Sequence, residues 1–192
     1  MPRRLRFVPS QQLVAVTCRT LRREFRLRPN PKSNAIIAGA IARALEVHQV
    51  KLHAVTVMSN HMHLLLTPKD ARALASFMHA VNRKIAYELN RLQRCTGSFW
   101  DGRYHSVLVT DEEAAQVAQL KYILSQGCKE GLVASPLDWP GVQSTRALTC
   151  GKTLEGTWFD RTAFHHARRT DPTAEMANFT KIHRIYLEPL PT

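Results

Sequence analysis

Residues 50–68 read VKLHAVTVMSNHMHLLLTP: two apolar, β-branched-rich runs on either side of Ser59-Asn60, a turn pair. The first run alternates, with Leu52, Ala54, Thr56 and Met58 on one face and His53, Val55 and Val57 on the other. The second, HMHLLLTP, reads as another strand, and so short a connection predicts that the two pair as a hairpin. On a strand, residues i and i+2 point to the same face, so His61 and His63 project together while Met62 and Leu64 face the other side. Nine histidines placed at random in this chain would give roughly 0.4 such pairs, so the spacing acquires meaning only from its surroundings.

On the N-terminal side, QLVAVTCR (12–19) alternates around Val14, Val16 and Cys18 and predicts a first strand. An arginine-rich loop, RREFRLRPNPKS (22–33), comes next, and Asn34 reads as the cap of a helix with Ile37, Ile41 and Leu45 on one stripe. On the C-terminal side, residues 70–94 predict a long amphipathic helix whose core stripe is Leu74, Phe77, Val81, Ile85, Leu89 and Leu92. A turn-rich loop (95–102) leads to a fourth strand at 103–110. A last helix, capped by Thr110 or Asp111 and with Glu112 and Glu113 near its positive end, stops at Gly127. The order β-α-β-β-α-β-α predicts an α+β, ferredoxin-like (split βαβ) antiparallel sheet with helices on one face and a C-terminal tail. The expected division is a domain at 1–145 and a basic extension at 146–192, in which 173–187 reads as a possible helix.

Net charge is +12, and nine Lys/Arg against the single acid Glu24 fall in residues 1–32. Arg83, Lys84, Arg91, Arg94 and Arg103 form a second basic group. Such a field attracts polyanions, nucleic acid first and a membrane surface second; its bland reading is a solvated basic surface. No apolar run of membrane-spanning length and no signal-peptide pattern occur, so the expectation is a soluble, cytoplasmic protein with no membrane partner. Cys18, Cys95, Cys128 and Cys150 lie far apart, which argues against a zinc ribbon or a disulfide framework.

Two imidazoles side by side can share a divalent ion, but catalysis usually needs a third protein ligand. Tyr122 and Gln126, i and i+4 on the last helix, share a face that continues through the small or polar Ala115, Ala118 and Gln119. That face could lie against a sheet carrying a metal. Equally, Tyr122 could anchor the helix in the core while Gln126 frays into solvent.

MSNHMHLLLTP (58–68) resembles the HUH signature of single-tyrosine transposases of the insertion-sequence and REP-associated kind. The stretch from Phe77 to Glu113 is similar to their next segment, with Asn-Arg on a helix and then aromatic-Trp and Gly-Arg-Tyr; YILSQGCKEGLVASPLDWPGVQS (122–144) resembles their tyrosine helix and the Gly-Leu-Val and aromatic-Pro segment after it. The likeness spans about residues 12 to 145. It implies that His61, His63 and Gln126 bind Mg²⁺ or Mn²⁺ and that Tyr122 is the nucleophile. The implied activity is cleavage and rejoining of single-stranded hairpin DNA through a 5′-phosphotyrosine adduct, in a prokaryotic, nucleoid-associated setting. Many REP-associated relatives carry Asn-Pro-Val-Arg-Ala after the tyrosine; here SQGCKEG (125–131) keeps an amide at Gln126 and lacks the Pro and Arg.

Arg22, Arg23, Arg26 and Arg28, with Arg83 and Lys84, are then expected to hold phosphates, and Trp100 and Arg103 to stack on and hold an unpaired base. Their alternative is a loop packed beneath an aromatic. Tyr104 is the rival nucleophile, placed on a strand without an amide at helical spacing; Tyr87 and Tyr186 read as packing residues. His53 reads as a buried structural histidine or a partner behind the ligands, and His165-His166 as surface. Rival functions are a domesticated hairpin-binding protein that does not cut, and a nuclease with no covalent intermediate. The protein is expected as a monomer or homodimer, with Tyr122 acting in its own subunit or in a partner's.

Overall fold

The computed structural model describes residues 7–191, so Arg3, Arg4 and Arg6 of the basic N-terminal stretch lie outside the described residues. The chain runs β1 (Val14–Arg19), a short helical turn (Leu21–Arg23), α1 (Pro31–Val47), β2 (Val50–Val57), β3 (His61–Pro68), α2 (Ala71–Gln93), β4 (His105–Leu108), α3 (Glu113–Leu124) and α4 (Gln126–Lys129). After α5 (Thr145–Cys150) come β5 (Leu154–Phe159), α6 (Arg161–Thr170) and β6 (Thr180–Ile185). The first four strands form one sheet in the order β2-β3-β1-β4, every neighbouring pair antiparallel. This is the ferredoxin-like arrangement that the sequence predicts.

The helices do not all lie on one face. Val14, Val16, Leu64 and Leu66 of the sheet bury against Ile37 and Ile41 of α1 and Phe77, Val81 and Ile85 of α2. Leu65 and Ala54, on the reverse face, pack with Leu13, Val109 and Ile123 of α3. Three consecutive leucines in β3 are all fully buried because both faces of the sheet are covered. The even alternation expected of β2 is broken too. The register slips between Leu52 and Ala54, a bulge at His53 that puts Leu52, Val55 and Val57 together on the α1/α2 face.

Several boundaries move for local reasons. Asn30, not Asn34, caps α1: its side chain accepts from Ser33 N at 2.9 Å, with Pro31 in the first turn. Asn34 instead donates to the Pro140 carbonyl at 2.8 Å. Tyr104 precedes β4 rather than lying on it, and Leu92 is partly exposed at the end of the α2 stripe. Gly127 does not end a helix in the left-handed region. It allows close packing, because a Cβ there would meet Val133 Cγ2 at 2.9 Å.

Residues 180–185 form a strand, not part of a helix, and β5 and β6 pair as a separate two-stranded ribbon laid on the outer side of α1. Contact is backbone to backbone: a Cβ on Gly39 would lie 2.1 Å from the Thr157 carbonyl oxygen, and one on Gly156 2.1 Å from Gly39 N. Gly39→Ala should therefore destabilise the protein by about 1 to 3 kcal/mol, although alanine is the better helix former. Urea denaturation checks this; a gain in stability would show that the ribbon does not press on α1. Buried Glu88 of α2 completes the attachment, 2.9 Å from Lys84 and 2.8 Å from Arg161 Nε. Burial pushes the Glu88 carboxyl up, but hydrogen bonds from Arg161 and Lys84 outweigh it and hold the group below its ordinary value.

Candidate active site

β3 carries His61 and His63 on the reverse face of the sheet, and α3 crosses that face because Leu120, Ile123 and Leu124 bury against Leu65 and Ala54. The two imidazole rings stand edge to face with centroids 4.9 Å apart. Tyr122 meets His63 in the same manner at 5.8 Å. Tyr122 is not a core anchor: it is 42% exposed, and its ring lines a cleft of about 560 Å³ with Thr17, Arg19, His63, Arg103 and Gln119.

Gln126 does not fray into solvent. A break at Ser125 separates α3 from α4, and Gln126, 3% exposed, donates from Nε2 to the Tyr122 carbonyl at 2.8 Å. With its amide nitrogen so held, the side chain also interacts with His61. The four residues predicted as ligands and nucleophile thus come together from β3 and the α3–α4 junction of one chain.

Each imidazole is oriented from behind. His61 Nδ1 lies 2.7 Å from Asn60 Oδ1, and His63 Nδ1 lies 3.0 Å from Thr17 Oγ1 on neighbouring β1. An amide oxygen only accepts, so His61 carries its proton on Nδ1 and keeps the Nε2 lone pair for a ligand. Burial, with the charges of His61 and Arg19, pushes His63 down from the ordinary 6.5 to about 4. Burial and Arg19 lower His61 as well, against opposing effects of Glu130 and Gln126. Both rings are therefore neutral near pH 7, the form that binds a metal. Two neutral imidazoles beside an amide oxygen fit a divalent ion that accepts nitrogen and oxygen donors. Among the described residues no group of three His, Cys, Asp or Glu could hold a metal, and the Gln126 amide is the further oxygen donor beside the two rings.

The lowered imidazoles have a consequence for stability. Between pH 6.5 and 4 the unfolded chain takes up a proton at His63 that the folded chain refuses, so stability falls as pH falls through that window. With chelator present, His63 should account for a loss of about 2 to 3 kcal/mol between pH 7 and pH 4.5. Urea midpoints across this range should fall less steeply for His63→Asn; parallel pH profiles would contradict the account.

The residues expected to hold DNA divide into two groups. Arg22, Arg23, Arg28, Arg83 and Arg103 are exposed. Arg26 is not available in the same way: it pairs with Glu24 at 2.9 Å, donates to Asn90 and Ser98, and lies over the Phe99 ring. Lys84 is held by Glu88 and by the Phe159 carbonyl at 2.6 Å. Trp100 is half-buried, its indole N–H donating to the Asn82 carbonyl at 2.9 Å. Tyr104 packs against the α1/α2 core, away from the histidine pair. Tyr87 and Tyr186 are exposed rather than packed, and His53 is buried between Thr67 Oγ1 and the Glu188 carbonyl.

The sequence reading missed Thr17, Asn60 and Lys129. Asn60 adjoins the histidine pair and was legible only as a turn residue; Thr17 reaches His63 through strand pairing. Lys129 Nζ lies 4.0 Å from the centroid of the Tyr122 ring, brought there by the α3–α4 junction.

The model of the family described as "Transposase IS200 like" matches residues 11–126, an interval that ends on Gln126. A solved structure of a REP-associated tyrosine transposase bound to a REP hairpin aligns with a TM-score of 0.64 at 18% identity, covering 79% of this chain and 87% of that one. This likeness supports the fold. A chain from Deinococcus radiodurans R1, proposed to be a transposase, aligns at 18% identity over 70% of this chain and 100% of its own, with a TM-score of 0.43 that carries no weight. No curated protein matches. With the family match covering more than half of the sequence, the chain belongs to the IS200-like transposase family.

Proposed function

We propose that this transposase cuts and rejoins single-stranded hairpin DNA through a covalent 5′-phosphotyrosine at Tyr122, with Mg²⁺ or Mn²⁺ held by His61, His63 and Gln126. The observation that carries the reading is Tyr122 set beside His63 at the edge of an open cleft, with Gln126 bonded to its backbone. A divalent ion held there supplies positive charge to the scissile phosphate oxygens. The Tyr122 hydroxyl oxygen attacks phosphorus and loses its proton to solvent. The bond from phosphorus to the 3′ oxygen breaks, and that oxygen leaves as a 3′-hydroxyl after taking a proton. Attack by a 3′-hydroxyl on the phosphotyrosine reverses the step, so no external energy is needed to rejoin. Lys129 and Arg19 add positive charge near the phosphate.

The deciding experiment mixes end-labelled hairpin strands with protein and Mg²⁺ or Mn²⁺ and resolves the mixture on a denaturing gel. A labelled band at the protein's mass supports the reading. Cut products without such a band would indicate a hydrolytic nuclease, and binding without cutting would indicate a hairpin-binding protein.

The exposed arginines of the loop before α1 are assigned to phosphate. Replacing Arg22, Arg23 and Arg28 together by Gln should lower the log–log salt slope of DNA binding by about 2 to 3. Arg26→Gln should instead lower stability by about 1 kcal/mol, because it removes a partly buried side chain with protein partners. An unchanged slope in the triple variant would leave the loop as a solvated surface.

A further inference from the structure

Three depressions follow one another from the α3 face of the sheet round to α2, each sharing lining residues with the next. Across Gly102 and Arg103 the active-site cleft meets a hollow of about 440 Å³ that is also lined by Met78 and Trp100. The hollow shares Ala75, His79 and Arg83 with a groove of about 850 Å³ between α2 and the C-terminal segment, where Tyr87 and Trp158 form part of the wall. Residues 75, 79 and 83 repeat every four positions and so stand as one ridge along α2. The ridge is the common wall of the hollow and the groove.

Positive charge runs along this route. Arg19 and Arg103 line the cleft, Arg103 and Arg83 the hollow, and Arg83 the groove. Among the described residues no ion pair engages Arg83 or Arg103, whereas Lys84 and Arg161 share the single negative charge of Glu88. Of the acids on the route, Asp160 accepts from Ala163 N at 2.9 Å as the cap of α6, and Asp101, two residues before Arg103, lines the cleft. Aromatic rings alternate with the cations: Trp100 in the hollow, then Tyr87, half-exposed, and Trp158, whose ring lies 4.2 Å from Lys84 Nζ. Cations on a narrow path with interleaved aromatic faces suit an unpaired strand, whose phosphates and bases can both be engaged.

We propose that the unpaired DNA adjoining the scissile phosphate leaves the cleft past Arg103, crosses α2 at Arg83 and ends against Tyr87 and Trp158. The C-terminal segment, outside the matched residues 11–126, thereby supplies a second single-strand-binding site. This rests on the reading that Tyr122 acts on a single strand. The probe is fluorescein-labelled oligo-dT of about 6, 12 and 24 nucleotides titrated into the full-length protein. Affinity is expected to rise with length. The exposed double substitution Arg83→Gln, Tyr87→Ala should weaken binding of the longest strand about tenfold, lower its salt slope by about 0.7 and remove most of the gain with length. An unchanged gain and slope would overturn the proposal.

Trp158 is half-buried, so its part is read in the unaltered protein with strands carrying 5-iododeoxyuridine. Photo-crosslinks on the peptides holding Tyr87 or Trp158 support the path; crosslinks confined to cleft peptides refute it. Covalent capture of hairpin strands by the unaltered protein is scored in parallel. Capture by the unaltered protein, together with an unchanged gain with length in the double variant, sinks the path alone. No capture together with crosslinks at Trp158 sinks the cleavage reading and supports the path.

Discussion

Tyr122→Phe is expected to abolish covalent capture of DNA while leaving folding and DNA binding intact. The substitution removes one oxygen and keeps the ring, with its edge-to-face contact to His63 and the Lys129 ammonium over its face. Because Tyr122 is 42% exposed, loss of the hydroxyl should change stability by no more than about 0.5 kcal/mol. Adduct should fall below detection, since no other group at that position offers a nucleophilic oxygen. Hairpin affinity should stay within about threefold of the unaltered protein, because phosphate contacts along the basic surface supply most of it. Tyr104→Phe should capture DNA normally. A Tyr122→Phe variant that still becomes linked to DNA would show that the wrong tyrosine has been assigned.

His63→Ala is expected to separate cutting from binding in the same way. In the proposed ligand set, loss of one of two imidazoles leaves His61 and the Gln126 amide, too few donors to hold an ion firmly in competition with water. Cleavage should drop by about 10³-fold or more, the scale on which removal of charge stabilisation at a reacting centre is felt. Hairpin affinity should again change little. Thr17 Oγ1 loses its partner at 3.0 Å, so part of any change belongs to stability. Thr17→Val, which removes the same bond but keeps both rings, measures that part. Binding and cleavage that decline by equal factors in His63→Ala would place the histidine in DNA contact rather than in metal-assisted chemistry.

The hairpin from 50 to 68 and the stripe of α2 were legible because their periods are local and long enough to count. The same-face projection of His61 and His63 comes from strand geometry alone, and β3 confirms it. The placement of α3 was not predicted, although the sequence held a signal for it. Leu64-Leu65-Leu66 is a continuous apolar run, which a sheet covered on both faces requires and a half-exposed one does not. The bulge at His53 is invisible to a count of alternating residues, since it depends on pairing with β3. Strand β6 reads poorly because TKIHRI is mostly exposed, and what holds it is met only in the fold: pairing with β5, and His183 Nδ1 lying 2.7 Å from Glu46 Oε1 of α1. Arg26 and Lys84 look like free surface charges in the sequence; their acid and carbonyl partners meet them only in the fold.

Mass spectrometry of the covalent protein–DNA species tests the central claim most directly. After nuclease trimming and proteolysis, a nucleotide-bearing peptide should be recovered that spans Tyr122, with the phosphate on the phenolic oxygen and the peptide containing Tyr104 unmodified. A nucleotide on the Tyr104 peptide with Tyr122 unmodified would contradict the account.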